Sequence, residues 1–194
     1  MADPAPAELK LSSQRYLRLA HEGVLHATVR VELLEGVVVA MSPISPPHAV
    51  ATEKIAAALR SAVAARAIVR VRQPLLLSSR SVPEPDVAVV PGAHDDYVAR
   101  HPDSALLVVQ VADATLVQDR VGKASIYAAA GVPEYWIVNL RDDRVETYRF
   151  PDPTAGAYRV CLAVPRGGRI ELGAFGGTTI AASDLLPARS GSDH

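Results

Sequence analysis

The run Leu106-Leu107-Val108-Val109-Gln110-Val111 (residues 106–111) is apolar at every position except one. Such a run is typical of a central strand that is covered on both faces of a sheet. A helix is predicted from about Leu116 to Ala130, and a second apolar strand, Tyr135 to Leu140, follows it. This succession places the chain in the α/β class. Gln110 is the exception in the run, and a polar side chain in a central strand must find hydrogen-bond partners or a ligand.

Further elements extend from this run in both directions. On the N-terminal side the patterns predict, in chain order, a short helix capped at Ser12 or Ser13, a hairpin turning at Glu35-Gly36, a helix over His48 to Arg66, a strand over Ile68 to Leu77 and a strand over Asp86 to Val90. On the C-terminal side they predict a strand over Val145 to Phe150 and short strands between Tyr158 and Leu186. The sheet is therefore expected to carry extra C-terminal strands.

Length and composition favour a single domain. A chain of 194 residues with 49% hydrophobic residues can bury one sizeable core. We expect the domain to span residues 12–187, with flexible ends at 1–11 and 188–194, because both ends are rich in small, polar or proline residues. Lys plus Arg (20) nearly cancels Asp plus Glu (21), so any nucleic-acid binding must depend on a local patch.

Two absences in the sequence bear on the compartment. The single cysteine, Cys161, excludes an internal disulfide and a cysteine-built zinc site, and it is expected to be a small core residue. No apolar run approaches the roughly 18 residues that span a bilayer, and the first residues lack the apolar core of a signal peptide. The sequence therefore predicts a cytoplasmic protein that is not bound to a membrane.

Three polar residues lie on successive predicted elements. Asp86 opens a strand, Gln110 follows 110 − 86 = 24 residues later, and Lys123 lies 123 − 110 = 13 residues further, on the next helix. Together they suit metal-assisted phosphodiester hydrolysis, in which a hard cation on oxygen ligands polarises the phosphate and activates a water. Asp86, the amide oxygen of Gln110 and the carbonyl of Val111 would bind the cation, and Lys123 would orient the water. Taken singly, the three side chains would more commonly be a helix cap, a satisfied core amide and a solvated charge.

Several strings of the sequence resemble the Uma-type restriction endonuclease family of the PD-(D/E)XK nuclease superfamily. The resemblance runs in order from about Ser12 to Leu186 and is carried by the strings at residues 31–36, 41–43 with His48, 85–90, 107–113, 119–120 with Lys123 and Tyr127, and 131–138. It implies a mixed sheet flanked by helices, with acidic residues that bind magnesium or manganese. It also implies that Glu32 and His48 line the same cleft, although strand alternation alone would turn Glu32 towards solvent.

The sequence departs from that family at one position of the motif. The family usually has Glu where this chain has Gln110, and Ala112 stands where the wider superfamily places a lysine on the strand. Losing a carboxylate lowers the negative charge available to a divalent cation and should weaken its binding.

Three functions therefore stay open. The first is a magnesium-dependent DNA endonuclease, the second is an inactive relative that binds nucleic acid or a protein partner, and the third is a structural dimerisation domain. A homodimer is also expected, with Tyr135 to Leu140 and the C-terminal strands offering contact area.

Overall fold

The computed structural model of the protein describes residues 10–25, 29–113 and 115–189. The predicted flexible ends, 1–11 and 188–194, lie outside these ranges except for residues 10, 11, 188 and 189, and the domain limits stay a prediction. Every helix within the described ranges is too short or too polar to span a bilayer.

A short helix and a hairpin open the fold. Helix α1 (Ser13–His21) is capped by Ser12, whose side chain accepts a hydrogen bond from the backbone N–H of Arg15. Strands β1 (Val31–Leu34) and β2 (Val37–Ala40) pair antiparallel. The two residues between them, Glu35 and Gly36, both have positive φ, as a tight hairpin turn requires. These elements confirm the predicted helix and hairpin.

A six-stranded mixed sheet forms the body of the protein. Its strands are β3 (Ile68–Val71), β4 (Val87–Val90), β5 (Leu107–Ala112), β6 (Glu134–Asn139), β7 (Arg144–Asp152) and β8 (Ala157–Pro165), and they lie in that order. Among these strands of the described chain, β5 and β6 pair in parallel, whereas the other neighbouring pairs are antiparallel. Because β4 and β5 are antiparallel, the start of β4 lies beside the end of β5. A small hairpin, β9 (Arg169–Glu171) with β10 (Thr179–Ala181), lies outside this sheet.

Helices cover the two faces of the sheet. Helix α2 (Pro46–Val63) packs on one face, where Ile55 and Leu59 are fully buried with Val109 and Trp136. The other face is covered by a helical segment in three consecutive parts: α3 (Leu116–Gln118), a π-helical turn (Asp119–Lys123) and α4 (Ala124–Ala129). Tyr127 packs there among residues of β5 and β6. Both faces of β5 are thus buried, as its apolar run predicts.

Some sequence expectations differ from the structure. The strand predicted over residues 68–77 ends at Val71, because Arg72 has φ of +49° and leaves the extended region. Cys161 is exposed on the edge strand β8 instead of lying in the core. The surface expected to offer dimer contacts combines Tyr135 to Leu140 with the C-terminal strands, and the part of that segment that lies in β6 is buried within the domain. The basis for a homodimer in that segment is therefore wrong, and a homodimer as such stays a prediction.

Candidate active site

Polar side chains from the hairpin, both helical layers and the sheet meet in one cleft, at the end of the sheet where β4 begins and β5 ends. The ionisable and amide side chains that line it include Glu32, His48, Asp86, Gln110, Asp119 and Lys123. Several of these are almost completely removed from water, so each must be paired or hydrogen-bonded. Their contacts define what the cleft can bind.

Asp86 receives hydrogen bonds from both helix α2 and strand β5. Its Oδ1 lies 2.7 Å from Nε2 of His48, and its Oδ2 accepts a hydrogen bond from the backbone N–H of Val111 at 2.8 Å. The start of α2 places His48 at this position, because Ser45 caps the helix and accepts a hydrogen bond from the His48 N–H. The carboxylate is therefore fixed in direction by partners on two elements.

Gln110 connects Asp86 to Lys123. We assign its amide with the nitrogen towards Asp86, because this orientation gives every polar atom of the amide a complementary partner. The nitrogen donates to Oδ2 of Asp86 at 3.1 Å, and the oxygen accepts from Nζ of Lys123 at 3.2 Å and from the hydroxyl of Tyr127 at 3.1 Å. Burial, followed by the charge of Glu32, raises the pKa of Tyr127 well above its ordinary value. The tyrosine hydroxyl thus keeps its proton and can donate a hydrogen bond to the Gln110 oxygen.

Lys123 and Glu32 form a buried ion pair above the amide. Nζ of Lys123 lies 2.9 Å from Oε1 of Glu32, and their side chains are 8% and 3% exposed. The second oxygen of Glu32 accepts the backbone N–H of Glu84 at 3.1 Å. Glu32 therefore faces the cleft, as the family resemblance implies and contrary to the solvent-facing position that strand alternation alone suggests.

The π-helical turn brings a further carboxylate, Asp119, into the cleft. Asp119 is 2% exposed, and its Oδ2 accepts a hydrogen bond from the hydroxyl of Thr115 at 2.6 Å. Burial, more than any other cause, raises the pKa of Asp119 above its ordinary value. The sequence argument did not identify this residue as part of the site. Its spacing could have done so, since a residue four positions before Lys123 shares a helix face with it.

An ion pair outside the cleft holds the π-helical turn against the sheet. Arg120, within the turn, donates through Nε to Oε2 of Glu146 on β7 at 2.8 Å and through its second nitrogen to Oε1. Burial alone would raise the pKa of Glu146, but hydrogen bonds from Arg120 and Asn139 outweigh it and lower that pKa to about 2. π-Helical turns are rare and often lie at functional sites. Here the turn carries both Asp119 and Lys123 and is held from outside the cleft.

Arg72 places a positive charge beside Asp86. Its Nε lies 3.9 Å from Oδ1 of Asp86, and its backbone N–H donates to the Asp86 carbonyl at 3.1 Å. Among the described residues that Nε has no hydrogen-bond partner. The guanidinium therefore adds positive charge next to the Asp86 carboxylate.

The structure thus brings together all the side chains that the sequence predicts for the site. Gln110 lies on β5, and Asp86 immediately precedes the neighbouring strand β4. Lys123 lies on the helical segment that follows β5, and Glu32 and His48 border the same space. Their placement in one cleft agrees with the sequence argument, and their catalytic roles stay a prediction.

The oxygen donors of the cleft suit a hard divalent cation in kind. Asp86 offers a carboxylate, and the carbonyl of Val111 lies on the same edge of β5 as the N–H that meets Asp86. Mg²⁺ is commonly held by one or two protein ligands, with water and substrate phosphate completing its coordination. Two donors therefore fit such an ion.

Gln110 does not present itself as a third ligand. In the assigned orientation its nitrogen, and not its oxygen, faces Asp86, so this arrangement does not support the ligand role expected from the sequence. Within the described parts of the chain, no group of three or more His, Cys, Asp or Glu side chains is arranged to hold a metal.

Comparisons with known proteins agree with the fold. A family model described as "Putative restriction endonuclease" (Uma2) matches residues 13–183. The solved structure of a "putative nuclease belonging to DUF820" from Anabaena variabilis ATCC 29413 is similar, with a TM-score of 0.70, 13% sequence identity, and coverage of 90% of this chain and 97% of that chain. At this identity the likeness shows a shared fold, and it confirms the predicted restriction-endonuclease-like architecture. No curated protein matches the chain.

Proposed function

This chain belongs to the Uma2 family, and from that membership we propose that it is an endonuclease that hydrolyses phosphodiester bonds of DNA in the Asp86 cleft, with Mg²⁺ or Mn²⁺ as cofactor. The observation that carries the proposal is the contact chain from Asp86 through Gln110 to Lys123. Within one buried site, it joins the carboxylate that would bind the metal to the ammonium group of Lys123, which can stabilise negative charge. A purely structural domain has no need of such an arrangement, because buried charges cost stability.

Each residue of the cleft has a distinct part in the proposed reaction. Asp86 and the Val111 carbonyl would hold the cation, whose chemistry is to polarise the phosphate and to lower the pKa of a water. His48 holds the Asp86 carboxylate in direction. Lys123, positioned by Glu32, would stabilise the charge that develops on the phosphate. Arg72, beside Asp86, would contact a phosphate of the DNA backbone.

A second candidate function is supported by the hydrogen bond from Gln110 to Asp86. The amide nitrogen of Gln110 occupies one side of the Asp86 carboxylate. In the family pattern a Glu stands at this position, and a metal would lie between it and the aspartate. A nuclease-fold protein with such a site could bind nucleic acid, or a protein partner, without cutting. This alternative differs from the first in a single measurable property, since both bind and only one cleaves.

The test is cleavage of supercoiled plasmid DNA with Mg²⁺ or Mn²⁺ by the parent protein and by Asp86→Asn and Lys123→Met. We expect the parent to nick or linearise the plasmid, and both variants to lose at least about 100-fold in rate. Asp103→Asn is the matched control, because Asp103 is an exposed aspartate whose partner is Arg100, outside the cleft. Binding without cleavage by the parent would favour the second candidate, and equal cleavage by all variants would reject the cleft as the active site.

A homodimer fits an enzyme that cuts both strands of DNA, and two-fold symmetry is the commonest form of assembly. Sedimentation at tens of micromolar protein tests it. A monomer there, with and without DNA, would reject the dimer and leave the cleft unaffected.

A further inference from the structure

We propose that the Gln110 amide withholds Asp86 from a divalent cation until a nucleic-acid phosphate enters the cleft, so that this chain binds its cation together with DNA and not before it. The inference rests on the proposed function, since it concerns the same cleft and the same class of substrate. It assigns Gln110 as a positioning residue instead of a metal ligand.

The first observation is that donors already occupy most of the Asp86 carboxylate. Oδ2 accepts hydrogen bonds from the Val111 N–H and from the Gln110 amide, and Oδ1 is bonded to His48. A carboxylate has about four lone-pair positions. A cation that approaches Asp86 therefore finds about one free position and is repelled by the positive ends of the surrounding N–H groups.

The second observation is that the amide cannot turn over freely. If it rotated to show its oxygen to Asp86, its nitrogen would face Nζ of Lys123, now 3.2 Å from the amide oxygen. Lys123 can only donate, and Glu32 holds it in place at 2.9 Å. The hydroxyl of Tyr127 can accept as well as donate, so it does not decide the orientation. Loss of the Lys123 bond without replacement corresponds to about 5- to 150-fold in cation affinity.

A phosphate in the cleft changes both conditions. Its negative charge offsets the repulsion at Asp86, and its oxygens complete the coordination that Mg²⁺ takes from substrates. It also gives Lys123 another acceptor, so that Lys123 no longer holds the amide and the amide nitrogen can withdraw from Asp86. The binding of DNA and the binding of the cation then favour each other, and thermodynamic linkage requires the two effects to be equal in size.

Two titrations of the parent protein test the coupling directly. Calorimetry with MgCl₂ or MnCl₂ measures cation binding with and without a short phosphorothioate duplex, which resists cleavage. Fluorescence anisotropy of the same duplex measures DNA binding with and without the cation. We expect no saturable cation binding below about 10 mM in the absence of DNA, and at least about a tenfold gain in its presence. The same factor should appear in the DNA affinity.

A pair of variants separates the amide from general charge. Gln110→Glu removes the donor to Asp86 and adds a carboxylate, so it should bind Mg²⁺ without DNA at least about tenfold more tightly than the parent. Gln118→Glu is the matched control. Gln118 is exposed and borders the same cleft, so this substitution adds the same negative charge at the rim of the cleft. It should bind Mg²⁺ as weakly as the parent. Thermal melts of both variants show whether they are folded, and the parent titrations stand by themselves if Gln110→Glu is not.

Different outcomes overturn different statements. Equal cation affinity of the parent with and without DNA overturns the coupling and leaves the proposed function intact. Equal gains for Gln110→Glu and Gln118→Glu reduce the effect to general charge and overturn the role of the amide. Absence of DNA binding at every cation concentration overturns the proposed function as well, and is recognised because the anisotropy then never rises.

Discussion

Replacing Lys123 with Met leaves the Glu32 carboxylate buried without its cation. The two side chains are 8% and 3% exposed, and Nζ lies 2.9 Å from Oε1, so water does not screen the pair. Removing one partner of such a buried pair costs about 3–5 kcal/mol, because the remaining charge is uncompensated. In a domain of this size about 1 kcal/mol shifts the melting temperature by about 2–4 °C. Lys123→Met should therefore lower the melting temperature by roughly 6–20 °C.

The double variant Glu32→Gln with Lys123→Met tests whether that loss comes from the charge. With both charges removed, no buried carboxylate is left unpaired, so most of the lost stability should return. Urea unfolding of the parent, both single variants and the double variant gives the interaction free energy through a double-mutant cycle. Lys54→Met, at a partly exposed lysine on α2, is the control for loss of a lysine. If Lys123→Met is no less stable than that control, the reasoning about the buried pair is wrong.

Three further predictions concern the surroundings of the cleft. Because burial raises the pKa of Asp119, its ionisation opposes folding at pH values above the ordinary carboxyl pKa of 3.8. The free energy of unfolding of Asp119→Asn, compared with that of the parent, should therefore rise when urea unfolding is repeated from pH 3.5 to 7. A difference that stays constant with pH would contradict this. The pKa of Glu146 is lowered from 4.5 to about 2, so the ionised Glu146 stabilises the fold above pH 4.5 and this contribution is lost as the pH falls towards 2. Glu146→Gln should therefore have a lower free energy of unfolding than the parent at pH 7, and the two values should converge near pH 2. Arg72→Ala should weaken DNA binding and reduce the slope of log affinity against log salt by about 1, whereas the exposed Arg159→Ala on β8 should change neither.

Much of the site was accessible from the sequence because its residues lie on regular elements in a fixed order. Gln110 is conspicuous in an otherwise apolar strand, and Asp86 immediately precedes the strand beside it. Lys123 lies on the helical segment that follows β5, so its separation from Gln110 along the chain was enough to predict that it reaches the same cleft. Alternation and helical spacing describe such elements well, since they follow from backbone geometry.

What the sequence left open depends on contacts between distant segments. The two middle residues of β1, Glu32 and Leu33, are both buried, because the hairpin has α1 on one side and the cleft on the other. No local pattern encodes that second cover. Cys161 is exposed because β8 is the last strand of the sheet, which the sequence of β8 does not state. The direction of the Gln110 amide is likewise set by Asp86, Lys123 and Tyr127, and not by its own strand.

The π-helical turn gives this helical segment one place where its length can change with little effect on the cleft. A π-helical turn completes one rotation with one residue more than an α-helical turn needs. Deleting Val121, an exposed residue inside the turn, would therefore leave an ordinary α-helical turn that still completes one rotation. Asp119 would keep roughly its direction relative to α4 and would still face the cleft. Deleting Ser125, an exposed residue of α4, removes no such extra residue and would rotate Lys123 by about 100° relative to Tyr127. Two surface deletions four residues apart should thus differ sharply in their effect on the site.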